Sequence, residues 1–256
     1  MVFRPDYNDT TIGSICNIMQ LRLDFPTHKS APLPRIYALF RLVAIITFSA
    51  TCILAGLKTA FGLDFDQLQQ ALVSRFGQTQ LPVFRDWQGL VAESKGRSEP
   101  DKIRLVNDFF NRRLGYADDL NIWGQTDYWA TPIEFIGRGW GDCEDFSIGK
   151  YYSLINIGVP VSKLRLVYVK ATQNTPSGPI QQAHMVLAYY ATPNAEPQVL
   201  DNLNPEIRPA SQRPDLAPIF SFNSAGLWQG TGNQSSKSNL SRWQDLLQRA
   251  RAEGFQ

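Results

Sequence analysis

The hexapeptide Trp140-Gly141-Asp142-Cys143-Glu144-Asp145 holds the one cysteine that follows residue 52, and His184 is the one histidine that follows residue 28. His184 lies 41 positions after Cys143, and Asp201 lies 17 positions after His184. Thiol, imidazole and carboxylate in that order are the parts of a cysteine nucleophile, its base and the group that orients the base. Each residue also has a bland reading. A lone cysteine is commonly a buried apolar side chain, a lone histidine a satisfied core residue, and an aspartate before Asn202 a turn former. The three together, with the thiol isolated in the globular part of the chain, favour covalent thiol chemistry.

The neighbours of the thiol set a problem. Asp142, Glu144 and Asp145 surround Cys143 with carboxylates, and nearby negative charge disfavours a thiolate. Two resolutions stay open. The carboxylates can cap a helix that starts at Cys143, where the helix N-terminus lowers a thiol's pKa. Alternatively they bind a hard cation, for which oxygen ligands of this kind suit Ca²⁺, although the spacing is not that of an EF-hand loop. A bound divalent cation offsets the carboxylates beside the nucleophile. The backbone N–H of Cys143 and the side-chain N–H groups of Trp123 and Gln125 are candidate oxyanion donors.

These residues need elements to position them. Residues 64–76 carry apolar side chains at helical spacing behind Asp64 as N-cap, and residues 83–93 and 99–114 read as two further helices, the second opened by Ser98-Glu99-Pro100. That helix has a polar face with Arg104, Asp108, Asn111 and Arg112. Residues 121–141 are aromatic and Gly-rich without clear period and read as a loop against the site. Residues 143–157 read as a helix stopped by Gly158. After Pro160 the pattern changes to strands at 164–169, 183–190 and 198–203, with turns at 173–179 and 192–197 and a further strand over 218–222 and 226–229. His184 and Asp201 fall on consecutive strands, where neighbours on one face lie ~5 Å apart. Helices followed by an antiparallel sheet make the class α+β. From Ser238 onward Trp243, Leu246 and Leu247 mark a short amphipathic helix, suited either to docking or to binding a partner.

The 256 residues suffice for one domain plus a leader, and 43% apolar and 12% aromatic content supply a core. A formal charge of +2 is far from the basic footprint of a nucleic-acid binder, and no such motif is present. Residues 42–57 contain no charge and follow Arg35 and Arg41, the pattern of an export signal or, counted from Ile36, a membrane anchor. The chain therefore divides into a leader at 1–61 and a domain at 62–256, with export to the periplasm through residues 36–57. No good cleavage site follows the apolar run, Ser49-Ala50-Thr51-Cys52 is a poor lipobox, and Met19 is an alternative start. With Cys16 and Cys52 in the leader, Cys143 has no intramolecular disulfide partner in the domain.

From about Leu63 to Trp228 the chain resembles the bacterial transglutaminase-like cysteine proteinases, in particular their LapG-type periplasmic branch. The resemblance rests on Trp123-Gly124-Gln125 with Asp127-Tyr128-Trp129, on Gly141-Asp142-Cys143-Glu144-Asp145, on Ala183-His184-Met185-Val186 and on Leu200-Asp201-Asn202. It implies a papain-like α+β fold, with the nucleophile at a helix start packed on an antiparallel sheet that carries the His and the Asp. It implies a Cys143, His184, Asp201 triad and Ca²⁺ bound by Asp142 and Glu144, with Asp145 and Asp127 as further candidate ligands. It also implies a large repeat adhesin as substrate, cut in its N-terminal region next to a paired-alanine site. The implied inhibitor is the periplasmic domain of a LapD-type inner-membrane receptor for cyclic di-GMP. The residues alone leave a transglutaminase or amidase with the same triad, or a non-catalytic binding module, as the other readings.

Overall fold

Three helices open the domain: α1 (Phe65–Phe76), α2 (Leu81–Ser94) and α3 (Glu99–Arg113). Asp64 caps α1 by accepting from the Asp66 and Gln67 amides at 3.1 and 3.0 Å, and Ser98 caps α3 from the Asp101 amide. The chain continues through β1 (Gly115–Tyr116), α4 (Asp119–Trp123), α5 (Pro132–Arg138), β2 (Trp140–Gly141) and α6 (Cys143–Asn156). The remaining strands are β3 (Leu164–Thr175), β4 (Gly178–Tyr189), β5 (Gln198–Leu200), β6 (Arg208–Pro209), β7 (Leu216–Asn223), β8 (Gly226–Gln229) and β9 (Ser235–Ser236), before a last helix α7 (Ser241–Ala252). The computed structural model describes residues 62–232, 235–236 and 240–255. The apolar run at 36–57 and the rest of the leader lie outside the described residues, among which no helix is long and apolar enough to cross a membrane.

The α+β class is as expected. A seven-stranded sheet in the order β6-β5-β4-β3-β7-β8-β9 is antiparallel throughout, and α6 packs on β4 and β3. Leu164, Leu166, Met185, Leu187, Leu200 and Phe222 of the sheet join Phe110, Phe135, Phe146 and Tyr151 of the helices in the main core. A second apolar cluster of Val167, Val169, Val186, Ala188, Tyr190 and Val199 packs under Ala210 and Leu216.

Two expectations need correction. Residues 173–179 are not a turn: β3 runs to Thr175 and β4 starts at Gly178, so only two residues connect them. Gly178 takes φ +109°, which lets the hairpin close tightly, and the polar residues around it belong to a ribbon tip in solvent. Residues 121–141 are not one loop, because α5 lies within them. Its capping box is complete, with Thr131 Oγ1 accepting from the Glu134 amide and Glu134 accepting from the Thr131 amide. Pro132 to Gly137 are all buried, so the helix has no polar face and shows no amphipathic period.

The tail docks on its own domain. Trp243, Leu246, Leu247 and Ala250 are buried, and the Trp243 ring meets Tyr151 and Phe222 edge-on while its Nε1–H donates to the Asn223 carbonyl at 3.2 Å. Trp243→Ala is expected to cost about 3–5 kcal/mol of stability through the cavity it leaves, read as a lower denaturant midpoint.

Candidate active site

Cys143 is the first residue of α6, and the chain reaches it through β2, which pairs in parallel with β1. The first N–H groups of a helix have no intrahelical partner, so the thiol sits where backbone donors and the helix dipole favour negative charge. The entry demands glycine at 141. A Cβ there would stand 2.5 Å from the Phe135 ring and 2.7 Å from Asp145 Oδ2. One turn further along α6, Ser147 Oγ donates to the Met185 carbonyl at 3.0 Å. That bond ties the nucleophile's helix to the strand residue next to His184.

His184 and Asp201 are both buried, and His184 Nε2 lies 2.8 Å from Asp201 Oδ1. An ionised carboxylate only accepts, so Nε2 carries the hydrogen and Nδ1 keeps its lone pair as the base. Burial pushes the Asp201 carboxyl up, but hydrogen bonds and charge from His184 and Arg213, with the Leu203 amide, outweigh it and hold the group at about 2. The strand expectation placed Asp201 within 198–203; β5 ends at Leu200, with Leu187 opposite Leu200, and Asp201 begins the following loop. Asn111 of α3 holds that loop by donating to the Asp201 carbonyl at 2.7 Å, and Asn107 donates to the Pro205 carbonyl at 2.8 Å. The polar face of α3 is thus an anchor for Asp201.

Cys143, His184, Ala183 and Met185 line one cavity of about 500 Å³, with Tyr116, Asp127, Trp129, Tyr168, Phe220 and Arg242 around it. The expected catalytic residues therefore share one site. The side-chain oxyanion candidates do not line it. Trp123 packs against Tyr128 and under Arg138, and Gln125 is exposed. Of the donors considered, the Cys143 amide at the start of α6 is the one at the cavity.

The acidic residues converge. Asp119, Asp142 and Asp145 bring one oxygen each to within 4.8 Å of one another, as do Asp119, Asp127 and Glu144. Asp142 is the N-cap of α6, yet its side chain makes no cap hydrogen bond and its buried Oδ1 has no partner. Helix capping is therefore not what the Asp142 side chain does. Asp119 Oδ1 and Asp145 Oδ2 are likewise buried without a partner, while Asp145 Oδ1 accepts from the Ala130 amide at 2.8 Å. Burial and mutual repulsion push Asp142 up to about 10 and Asp119 up to about 6, and burial pushes Asp145 well up as well. Three converging carboxylates, each with a buried oxygen that has no partner, fit a hard cation of the calcium type. Asp127 is less free, since Oδ1 accepts from Trp129 Nε1–H at 3.1 Å and Oδ2 pairs with Arg242 at 2.8 Å. Asp119 was missed in the sequence. It lies 23 residues before Asp142, and the β1–β2 pairing brings the two segments together.

The thiol feels this cluster. Burial pushes its pKa up, followed by the Glu144 charge and the hydrogen bond that Cys143 Sγ donates to Glu144 Oε2 at 2.9 Å, and then by Asp142; the Met185 amide acts in the other direction.

A thiol at a helix start and a strand-borne imidazole held by a carboxylate define a thiol enzyme of the papain-like type. Comparison with known proteins narrows the class. The family model described as bacterial transglutaminase-like cysteine proteinase matches residues 90–216. Calcium-bound Legionella pneumophila LapG is 40% identical with a TM-score of 0.62, covering 73% of this chain and 99% of its own. EGTA-treated L. pneumophila LapG is 37% identical with a TM-score of 0.62, covering 74% and 98%. A third L. pneumophila LapG structure is 39% identical with a TM-score of 0.61, also covering 74% and 98%. Comparison with curated protein sequences gave no match. The chain belongs to the bacterial transglutaminase-like cysteine proteinases.

Proposed function

We propose that this protein is a calcium-dependent cysteine endopeptidase of the periplasm that releases a large biofilm adhesin from the cell surface. In this reading it cuts the adhesin's N-terminal region near a paired-alanine site. The periplasmic domain of a LapD-type receptor for cyclic di-GMP acts as its inhibitor. The observation that carries the reading is His184, held by the buried Asp201, lining one cavity with Cys143 and Asp142, in a site where Asp119, Asp142 and Asp145 each have a buried oxygen without a partner.

The chemistry follows from the side chains. His184 Nδ1 takes the thiol proton while the Cys143 sulfur forms a bond to the scissile carbonyl carbon. Asp201 keeps the imidazole in the tautomer with hydrogen on Nε2 and stabilises the imidazolium that results. The Cys143 amide donates to the developing oxyanion at the start of α6. His184 then gives its proton to the leaving amine, and water, deprotonated by the same imidazole, releases the acyl group from sulfur. Asp119, Asp142, Asp145 and Glu144 are the residues that would hold Ca²⁺. When bound, the ion supplies positive charge that offsets the carboxylates disfavouring the thiolate.

The test is incubation of an adhesin N-terminal fragment with the full-length protein in Ca²⁺ and in excess EGTA, beside Cys143→Ala. One discrete product from the wild type in Ca²⁺ alone is expected. Crosslinked species without chain cleavage would instead mark an acyl transferase, and cutting that persists in EGTA would remove the metal from the mechanism.

A further inference from the structure

Asp201 has two sides, and only one faces the histidine. Its Oδ1 accepts from His184 Nε2 at 2.8 Å and from the Leu203 amide at 3.0 Å, while Oδ2 accepts from Arg213 Nη2 at 2.7 Å. Arg213 is 5% exposed, although arginine is seldom buried without a specific partner. It is itself held in place. Asp215 accepts from Arg213 Nε at 3.0 Å and from Nη2 at 2.7 Å, and the Asp215 carbonyl accepts from the Thr172 amide of β3 at 2.8 Å. The guanidinium is therefore fixed to the sheet before it touches Asp201.

We infer that Arg213 is a positioning residue for the reaction: it locks the Asp201 carboxylate, and through it the His184 ring, in the orientation that thiol activation requires. The inference rests on the thiol-protease reading of the site. A buried carboxylate with one free oxygen can rotate or take up a proton, and either change releases the imidazole. Arg213 blocks both.

Other charged groups near Asp201 do not duplicate this role. His184 faces it from β4, and Asp215 lies on the far side of Arg213. Lys150 of α6 is buried near Asp201 and is brought down to about 7 by burial, with the Asp201 charge opposing. Lys150 supplies field without a hydrogen bond to the Asp201 carboxylate among the described contacts. The carboxyl of Asp201 is depressed in the folded protein, so its contribution is present above the ordinary aspartate range and is lost as pH falls towards about 2. Without Arg213 that loss moves to higher pH.

The experiment is alkylation of Cys143 by iodoacetamide in the full-length protein with Ca²⁺ present, across pH 2.5 to 9. The Cys143 peptide is followed by mass spectrometry in wild type, His184→Ala, Arg213→Met and Arg213→Lys. Arg213→Met is expected to move the acid limb of the rate profile up by about one unit or more and to lower the plateau about 10-fold. Arg213→Lys keeps the charge but not the paired N–H geometry, so the limb returns to its wild-type position with a plateau lowered a few-fold. A Met profile that superimposes on wild type overturns the inference. So do Met and Lys variants slowed equally at every pH, which would make Arg213 structural only. If Arg213→Met does not fold, Arg213→Gln replaces it and is held to the same outcomes: a raised acid limb upholds the role, and a wild-type limb overturns it. If wild type and His184→Ala react alike, the thiol–imidazole pair itself is absent and the inference falls with it.

Discussion

Cys143→Ser is expected to lower the turnover of an adhesin fragment about 10⁵–10⁶-fold, and His184→Ala by a similar factor. The size follows from how the two groups work. A serine hydroxyl in place of the thiol is a far weaker nucleophile at neutral pH, and the cavity is built around one thiol at the start of α6. His184 is the only imidazole of the domain at 62–256, and its Nε2 is already committed to Asp201, so the domain has no second base of this type. Because the members of such a set act as a unit, the double variant should be no slower than either single one. Single-turnover cleavage followed by mass spectrometry measures this, with melting temperature as the control for folding. Loss of only a few-fold in either variant would sink the nucleophile–base assignment. The non-catalytic reading predicts no cleavage even by the wild type, so one experiment separates the two.

Much of this site could be read from residue types alone because its chemistry is local or unique. One cysteine and one histidine within residues 62–256, with a spaced aspartate, leave few ways to assemble a thiol site there. The helix at 143–157 and the strands around His184 carry ordinary apolar patterns, and the structure places them within a residue or two at the ends that matter to Cys143. What sequence reading missed depends on tertiary contact. Asp119 sits in a five-residue helix far from Asp142 in sequence, and nothing local distinguishes it from Asp118 beside it. Arg213 follows a 3₁₀ turn and looks like one more solvent-facing arginine until the fold buries it against Asp201. The helix α5 escaped for the opposite reason. It is buried on every side, so its strongest signal was the Thr131-Pro132-Ile133-Glu134 cap rather than any period. The expected oxyanion donors Trp123 and Gln125 lie in an aromatic stretch whose closeness to the site was legible. The direction of each side chain was not.

Removing calcium should have the other large effect, and pH gives it a signature that general destabilisation lacks. The carboxyls of Asp142 and Asp119 are raised in the fold without a cation, to about 10 and about 6, by burial and by one another. A group raised above its unfolded value contributes stability that is present below the unfolded pKa and is lost as pH rises through the folded one. In EGTA the melting temperature should therefore fall between about pH 5 and 8, because unfolding lets these carboxyls ionise. A bound cation favours the ionised ligands and reverses this slope, so the stabilisation by Ca²⁺ grows with pH. At a free concentration of about a thousand times Kd the gain is about 4 kcal/mol. For a domain of this size that corresponds to about 10 °C. Asp142→Ala removes one orphaned oxygen and one charge, so the Ca²⁺ needed for half-maximal cleavage should rise about 100-fold, with partial rescue at high Ca²⁺. Asp119→Ala should behave alike, since Asp119 belongs to both groups of converging carboxylates. Melting curves in Ca²⁺ and EGTA at pH 5, 6.5 and 8 are the measurement. A gap that does not widen with pH, or an Asp142→Ala variant with wild-type Ca²⁺ dependence, would mean that these carboxylates are not the ligands. The thiol links this binding to catalysis, because it donates to Glu144 at 2.9 Å and is surrounded by the same negative charge. Ca²⁺ that stabilises the fold through this cluster must also favour the Cys143 thiolate, so stability and alkylation rate should rise over the same range of Ca²⁺ concentration.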